Sequence, residues 1–160
     1  MLRNSRVLSL HQPWASLLVW GLKTIETRSW GTPWRGPLLI HAGKALPPEY
    51  IKLYLDPHFA KAFEVMGELR DLPRGCVVGM ATLESVVPAM NVKDKIGNAE
   101  RAFGLYGPMR QAWCMEFDSA RRFTTPVPAR GYQGLFRPDI WDESTQAALA
   151  DEVRKAGGGG

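Results

Sequence analysis

Proline and glycine divide this chain into short segments, and their spacing limits the folds that it can adopt. The sequence holds 12 prolines and 16 glycines in 160 residues, and they recur along the whole chain. Because both residue types interrupt regular backbone hydrogen bonding, most of the elements between them are expected to be short. Alternating residues predict strands at 6–10, 22–30 and 111–117, and apolar stretches predict strands at 37–42 and 76–87 and a short one at 135–136.

Short helices are predicted between these strands. Pro13 suits the first position of one helix, and Gly21 is placed to end it. Pro48 marks the start of a second helical region, which Asp56-Pro57 divides, because a residue before proline avoids the helical conformation. Helices are therefore expected near 48–55 and 58–70, with core-facing side chains at Ile51, Leu55, Phe59, Phe63 and Met66.

The second half of the chain completes the predicted architecture. Gly79 lies inside the long apolar strand and predicts a bend there. The proline- and glycine-rich stretch 124–134 is predicted to be a loop, and 142–155 a polar helix capped by Asp142 or Ser144. Short strands with inserted helices indicate an α+β fold, namely a small, mostly antiparallel β-barrel of about six strands.

Composition places the chain among folded single-domain proteins. Hydrophobic residues make up 45% of it and charged residues 22%, which excludes wholesale disorder. No segment approaches the roughly 20 apolar residues of a membrane helix, and the N-terminal stretch lacks the apolar core of a signal peptide. We therefore expect a cytoplasmic protein without membrane contact.

The sequence shows no motif for a metal or a cofactor. Cys76 and Cys114 lie in apolar stretches without a CxxC partner, and the three histidines are isolated from one another. Two buried thiols and no metal site are expected. Walker A, GxSxG, HExxH and dinucleotide-binding motifs are missing from the sequence, so no cofactor is predicted.

Positive charge is concentrated at the start of the chain. Within 1–44, six basic residues stand against the single acid Glu26, which gives +5, whereas the whole chain carries +4. Such a segment is where an anionic partner would be attracted, although six charges over this length also suit ordinary solvated surface. The basic residues are Arg3, Arg6, Lys23, Arg28, Arg35 and Lys44.

The window GLKTIETRS, residues 21–29, holds the densest polar cluster. If it is a strand, Glu26 and Arg28 share one face, and Lys23 lies on the other. A carboxylate beside a guanidinium could recognise the edge of a nucleobase or a phosphate, and it could equally be a surface ion pair.

Aromatic residues coincide with the basic segment. Trp14, Trp20, Trp30 and Trp34 fall within 21 residues, and rings interleaved with cations are typical of single-stranded nucleic-acid binding. Trp14 has a core-facing helical position, so Trp30 and Trp34 are the better candidates for stacking on a base.

Three further positions could contribute to a site. His41 ends an apolar strand, where a histidine is more often a satisfied core residue than a base or ligand. Lys44 lies in the loop that follows, and Arg130 begins a polar, glycine-rich stretch that could approach a ligand closely.

Three segments, LSLHQPWASLL, GLKTIETRSW and TPWRGPLLIHAGK, together resemble the ASCH domain, a family named for activating signal cointegrator-1 homology. The later segments GCVVGMATL, AWCMEF and PVPARGYQGLF fit the same family. The resemblance covers about 6–137 and implies a PUA-like β-barrel. A C-terminal helix at 138–156 would then pack on or beside the domain, and 157–160 would be a disordered glycine tail.

The resemblance also implies a function, which is binding of RNA or another nucleic acid in a cleft lined by the GxKxxExR stretch. Gly21, Lys23, Glu26 and Arg28 match that signature. Together with the residues chosen on charge and aromatic character, the expected ligand-binding set is Gln12, Lys23, Glu26, Arg28, Trp30, Arg35, His41, Lys44 and Arg130.

Two other functions remain open from the sequence. Some small relatives of the family remove an acyl group from N4-acetylcytidine with a lysine, a threonine three residues later and a distant glutamate. Lys23 matches the lysine, but Glu26 occupies the threonine position, so an enzyme would use Lys23 and Glu26 on a nucleoside-like molecule or act as a ribonuclease through Lys23. A protein-interaction domain ranks last, and the oligomeric state is left open.

Overall fold

A computed structural model of the chain describes residues 2–157, which form seven strands and four α-helices. The strands are β1 (Arg6–Leu10), β2 (Ile25–Arg28), β3 (Gly36–Ala42), β4 (Cys76–Pro88), β5 (Gln111–Met115), β6 (Arg121–Pro128) and β7 (Leu135–Phe136). The helices are α1 (Trp14–Val19), α2 (Pro57–Met66), α3 (Asn98–Ala102) and α4 (Glu143–Ala156). Short 3-10 helices occupy Leu2–Asn4, Pro48–Leu55, Leu69–Asp71, Ala89–Asn91, Lys93–Lys95 and Pro138–Ile140.

The long strand β4 organises the sheet, because it changes neighbours along its length. One edge pairs with β3, while the other pairs first with β6 and then with β5. The register shifts at Val77/Gly79 in the pairing with β6 and at Leu83/Ser85 in the pairing with β5, so each of these pairings contains an irregularity. The bend predicted at Gly79 therefore coincides with a shift in strand pairing.

The sheet is mixed and mostly antiparallel, as predicted, but the expected closed barrel is wrong. Its order is β2-β5-β4-β3-β1-β7, with β6 paired to β4 beside this path. Among the strands of residues 2–157, β1 and β3 form the one parallel pair. In the described chain β2 pairs with β5 alone and β7 with β1 alone, so the two ends of the sheet never join as a barrel requires.

Two local predictions fail for identifiable reasons. The stretch 124–134 is not all loop, because β6 extends to Pro128; its prolines are tolerated on a strand that pairs only with β4. Ile51 and Leu55 do not face the core but are 65% and 84% exposed. They lie in a 3-10 helix, whose period differs from the 3.6 residues used for the prediction, whereas Phe59 and Phe63 in α2 are buried as expected.

The C-terminal helix packs on β6. Asp142 caps it by accepting a hydrogen bond from the Thr145 amide at 2.8 Å. Leu149 and Val153 pack with Phe123, Val127 and Trp141. The predicted glycine tail lies, from 158 onward, outside the described residues.

The predictions for the cysteines, for metal binding and for membrane spans can each be compared with residues 2–157. Cys76 is buried and Cys114 half-buried, both are free, and burial raises the pKa of each thiol. Over 2–157, no three His, Cys, Asp or Glu side chains converge as a metal site would require. Across this range, each helix is too short or too polar to span a bilayer.

Gly79 has no room for a side chain, and its substitution should destabilise the fold. A Cβ there would lie 2.2 Å from the Arg121 carbonyl oxygen and 2.8 Å from Val19. We expect Gly79→Ala to lower the free energy of unfolding by about 3 kcal/mol, measured by urea denaturation. Gly107→Ala is the matched control, because nothing lies within 4 Å of the added atom, and it should change stability by less than about 0.5 kcal/mol. Equal stability of the two variants would contradict this account.

Candidate functional site

Two adjoining cavities form one cleft. The first, here the aromatic lobe, has a volume of about 600 Å³ and is walled by the rings of Trp14, Tyr50, Phe59 and Phe103. The second, the loop lobe, has a volume of about 1000 Å³ and lies between 43–45 and 128–134. The lobes share the lining residues Ser9, His11, Arg28 and Trp30, so they open into each other.

The rings of the aromatic lobe are held in place by polar contacts at their edges. Trp14 Nε1 donates to the Phe103 carbonyl at 3.0 Å, and Tyr50 lies edge-on to Trp14 with ring centroids 5.3 Å apart. The Tyr50 hydroxyl and His11 Nδ1 are 2.9 Å apart. Burial, together with Glu49, raises the pKa of Tyr50, so its phenol is neutral at physiological pH. The lobe is therefore a largely preformed aromatic pocket.

A buried charge cluster forms one side of this lobe. Lys23 is 1% exposed, and its ammonium donates to Glu26 Oε1 and to the Ile25 carbonyl, each at 2.5 Å. Arg28 contacts the other carboxylate oxygen, Glu26 Oε2, at 3.3 Å. Glu26 and Arg28 line the aromatic lobe, whereas Lys23 lies behind them and lines neither lobe.

The turn after α1 explains why Lys23 reaches Glu26. The predicted alternation placed these residues on opposite faces, and this is wrong because β2 begins only at Ile25. Gly21 adopts φ +74°, which lets the chain reverse, and the Lys23 amide bonds back to the Leu17 carbonyl at 3.1 Å. Lys23 thus precedes the strand and extends beneath it.

A serine–histidine pair lies in the loop lobe. The neighbouring parallel strands β1 and β3 place Ser9 opposite His41, and Ser9 Oγ is 2.8 Å from His41 Nδ1. His41 Nε2 donates to the Ala129 carbonyl at 2.7 Å. Because a carbonyl only accepts, Nε2 carries the proton and Nδ1 accepts from the serine.

The loop that covers this pair is fixed from the other side by Trp141. Its indole Nε1 donates to the Arg130 carbonyl at 2.8 Å, which ties the loop to the base of α4. Gly131 fits close to the pair, since a Cβ there would lie 2.7 Å from His41 Cε1. The exposed side chains of Lys44 and Arg130 line the same lobe.

Two of the expected binding residues lie away from the cleft lining, in addition to Lys23. Gln12 is 0% exposed, and its amide donates to Ser16 Oγ and the Pro73 carbonyl while accepting from the Ser16 amide. Arg35 is exposed and donates to the carbonyls of Thr32 and Trp34. Gln12 therefore braces the first turn of α1, and Arg35 braces its own loop. The expected residues on the lining are Glu26, Arg28, Trp30, His41, Lys44 and Arg130.

The sequence analysis did not single out four other residues that line the cleft. His11 lies in the segment LSLHQPWASLL but was not chosen as a site residue, and Tyr50, Phe103 and Arg110 come from three other segments without a motif. Arg110 donates to the Thr27 carbonyl at 3.2 Å, while its buried Nε has no hydrogen-bond partner within the described chain.

Comparison with known families accounts for this architecture. The ASCH domain family matches residues 8–135, which is most of the chain and includes both lobes. The chain belongs to the ASCH domain family. The resemblance read from the sequence is thereby confirmed.

Relatives of this ASCH domain occur in larger proteins. It is 40% identical over 90 residues to activating signal cointegrator 1 of Homo sapiens and 43% identical over 77 residues to that of Mus musculus. These matches cover 55% and 48% of this chain, but only 15% and 13% of the relatives' own length.

A solved structure shares the fold. The crystal structure of ASCH from Zymomonas mobilis superposes with a TM-score of 0.55 at 16% identity, and the match covers 93% of this chain and 95% of the other. The chain therefore has the α+β fold of this solved ASCH structure.

The buried ammonium of Lys23 should stabilise this ASCH domain strongly. Removing Lys23 takes the closest partner from the buried Glu26 carboxylate and leaves it only the longer contact to Arg28, so Lys23→Met should cost about 3 kcal/mol in a urea titration. The double variant Lys23→Met/Glu26→Gln should recover part of the loss, because the buried carboxylate that lost its closest partner is no longer charged. Lys155→Met, which removes surface contacts to Asp151 and Glu152, serves as the control and should have a much smaller effect. A Lys23→Met protein as stable as this control would refute the assignment.

His41 should make stability depend on pH. Burial lowers its pKa from the ordinary 6.5, and the hydrogen bond to the Ala129 carbonyl opposes this shift only in part. The unfolded chain therefore binds the proton at higher pH than the folded one, so stability is full above pH 6.5 and falls as the pH drops below it. Unfolding measured from pH 7.5 to about pH 5, above the range of ordinary carboxylates, should show this slope in the parent and not in His41→Gln. A slope that persists in His41→Gln would assign it to another group.

Proposed function

We propose that this ASCH domain binds RNA, or a chemically similar single-stranded nucleic acid, in the cleft formed by the two lobes. The observation that carries the proposal is one continuous lining that combines aromatic rings with cations. Four basic side chains lie on it, and in the described chain Glu26 is the one acid among them; the cations are Arg28, Lys44, Arg110 and Arg130. Single strands are held by this combination, since bases stack on rings while phosphates meet positive charge.

The backbone of the strand would occupy the loop lobe. Lys44 and Arg130 are exposed there and free to meet phosphates without first breaking an ion pair in the described chain. Positive charge on a concave surface also attracts an anionic chain from solution, and salt weakens that attraction.

Trp30 lies at the junction of the lobes, where it is suited to stack against a base. Its ring packs edge-on against Trp113, with centroids 4.9 Å apart, and its carbonyl accepts from Trp113 Nε1 at 3.0 Å. The Arg28 guanidinium lies 5.4 Å from the Trp30 ring centroid. A rigid ring beside a cation gives stacking surface at little entropic cost.

One base would enter the aromatic lobe and meet Glu26. Each carboxylate oxygen accepts from one protein cation, Lys23 or Arg28, and a carboxylate oxygen has a further lone pair. A base that presents N–H donors, such as guanine, adenine or cytosine through its exocyclic amino group, satisfies that capacity. Family membership supports this proposal, because nucleic-acid binding is the function that the ASCH resemblance implies.

The geometry does not favour a hydrolase that uses Lys23. Its ammonium is buried against Glu26 and the Ile25 carbonyl and lies outside the lining of both lobes. A lysine in this position supports the carboxylate and does not contact a ligand in the cleft.

Binding of a labelled single-stranded RNA should weaken steeply with salt. The two phosphate contacts proposed for Lys44 and Arg130 predict a log–log slope of about −1.4 on a single strand, which is about 7-fold in affinity between 50 and 200 mM salt. Fluorescence anisotropy at these two concentrations measures it. Lys44→Ala and Arg130→Ala should each reduce the slope by about 0.7 and weaken all sequences alike.

The matched control for charge is Lys61→Ala, which removes an exposed lysine on α2 outside the cleft and should leave the slope unchanged. Glu26→Gln should change the preference among homopolymers, because an amide presents a donor where the carboxylate only accepts. Absence of RNA binding at 50 mM salt would reject the proposal and direct the search to a free nucleoside. Equal losses in Lys44→Ala and Lys61→Ala would place the binding surface elsewhere.

A further inference from the structure

We propose that Ser9 and His41 form a nucleophile and general base that cleave carboxylic esters bound in the cleft. This activity goes beyond nucleic-acid binding and does not depend on it. It uses a pair that the binding proposal leaves without a role.

The geometry of the pair is that of an activated serine. Ser9 Oγ donates to His41 Nδ1 at 2.8 Å, and His41 Nε2 donates to the Ala129 carbonyl at 2.7 Å. A nucleophile, a base within hydrogen-bond reach, and a third group that orients the base are the three elements of nucleophilic catalysis by serine. Here the orienting group is a backbone carbonyl, which fixes the tautomer in which Nδ1 is free to take a proton.

Ser9 and His41 differ in their exposure to the cleft, as a nucleophile and its base require. Ser9 is half-buried and lines both lobes, whereas the His41 side chain is buried behind it. Gly131 packs directly against the pair, because a Cβ there would lie 2.9 Å from His41 Nδ1 and 3.0 Å from Ser9 Oγ. The loop therefore shields the base, and a substrate carbonyl would reach the hydroxyl from the side on which Ser9 lines the two lobes.

The first half of the reaction transfers the acyl group to the enzyme. Ser9 Oγ bonds to the ester carbon as its proton passes to His41 Nδ1, and the carbonyl electron pair moves to oxygen. Arg28 lines both lobes, as Ser9 does, and supplies positive charge for that oxyanion. The bond from carbon to the alcohol oxygen then breaks, and the leaving alcohol takes the proton from Nδ1.

The second half releases the acid. Water gives a proton to His41 Nδ1 and attacks the acyl carbon, and Ser9 leaves with that proton as the hydroxyl is restored. The products are one alcohol and one carboxylic acid, and nothing is oxidised or reduced. The aromatic lobe favours substrates in which an aromatic group accompanies the ester, because its walls are rings.

A fluorophosphonate probe tests the nucleophile directly. Ser9 Oγ should displace fluoride and retain the phosphonyl group, which intact mass and peptide sequencing locate. Ser29 is an internal control in the same protein, since it also opens on the aromatic lobe but its hydroxyl bonds to none of the three histidines. The supporting result is labelling at Ser9 without labelling at Ser29, together with hydrolysis of 4-nitrophenyl acetate.

Variants separate catalysis from a purely structural hydrogen bond. Ser9→Ala should abolish labelling and hydrolysis, and His41→Ala should slow both by about 10²–10⁴-fold, with partial recovery in added imidazole. Ser144→Ala, at an exposed serine of α4, should behave as the parent. If circular dichroism shows that His41→Ala is unfolded, Ser9→Ala and the mapped label decide the question.

Two results would overturn the inference. One is a parent protein in which Ser9 reacts no faster than Ser29, and the other is a rate that is unaffected when a folded His41→Ala protein is tested. Loss of RNA binding with Ser9 labelling intact would reject the binding proposal alone. Salt-dependent RNA binding by a protein whose Ser9 does not react would reject the ester-cleaving pair alone.

Discussion

The cleft depends on the contact between the buried ammonium of Lys23 and the carboxylate of Glu26. An isolated charge away from water is costly, and the cost is met here by one carboxylate oxygen and one backbone carbonyl. The same contact draws Glu26 into the wall of the aromatic lobe and joins the turn after α1 to the first residues of β2. A hydrophobic residue at position 23 would fill the space but would leave Glu26 without its closest partner. The charge of Lys23 therefore determines the position of the Glu26 carboxylate.

The cleft combines rigid aromatic walls with exposed, charged side chains at its edges. Its rings are fixed by contacts such as that from Trp14 Nε1 to the Phe103 carbonyl, whereas Lys44 and Arg130 extend into solvent. Preformed apolar surface limits the entropy lost on binding, and mobile cations adapt to the path of a flexible chain. Sequence-tolerant recognition of a strand needs both properties.

Much of the fold was accessible from the sequence because its signals are local. Alternation located β1, apolar stretches located β3 and β4, and the Asp142 cap located α4. Local rules failed where tertiary contacts decide: the prolines of β6 concealed an edge strand, and the 3-10 helix exposed Ile51. Closure of the barrel also depends on how distant strands meet, which no local pattern encodes.

The candidate site shows the same division. Glu26, Arg28 and Trp30 lie on the lining and come from one compact motif that the sequence displays. Tyr50 and Arg110 lie far along the chain, and only the packing of helices against the sheet brings them to the same cavity. The side of the strand from which Lys23 approaches was likewise set by a turn and not by alternation.

The tie from Trp141 to the Arg130 carbonyl couples the C-terminal helix to the cleft. This indole lies in the apolar cluster under α4, so the loop above His41 is ordered only as well as that helix is docked. Coupling of this kind is reciprocal: a ligand that orders the loop must also protect the helix, to the same extent in free energy. Binding of a ligand in the cleft would therefore slow the exchange of amide hydrogens in the last turns of α4, although these turns lie away from the bound molecule.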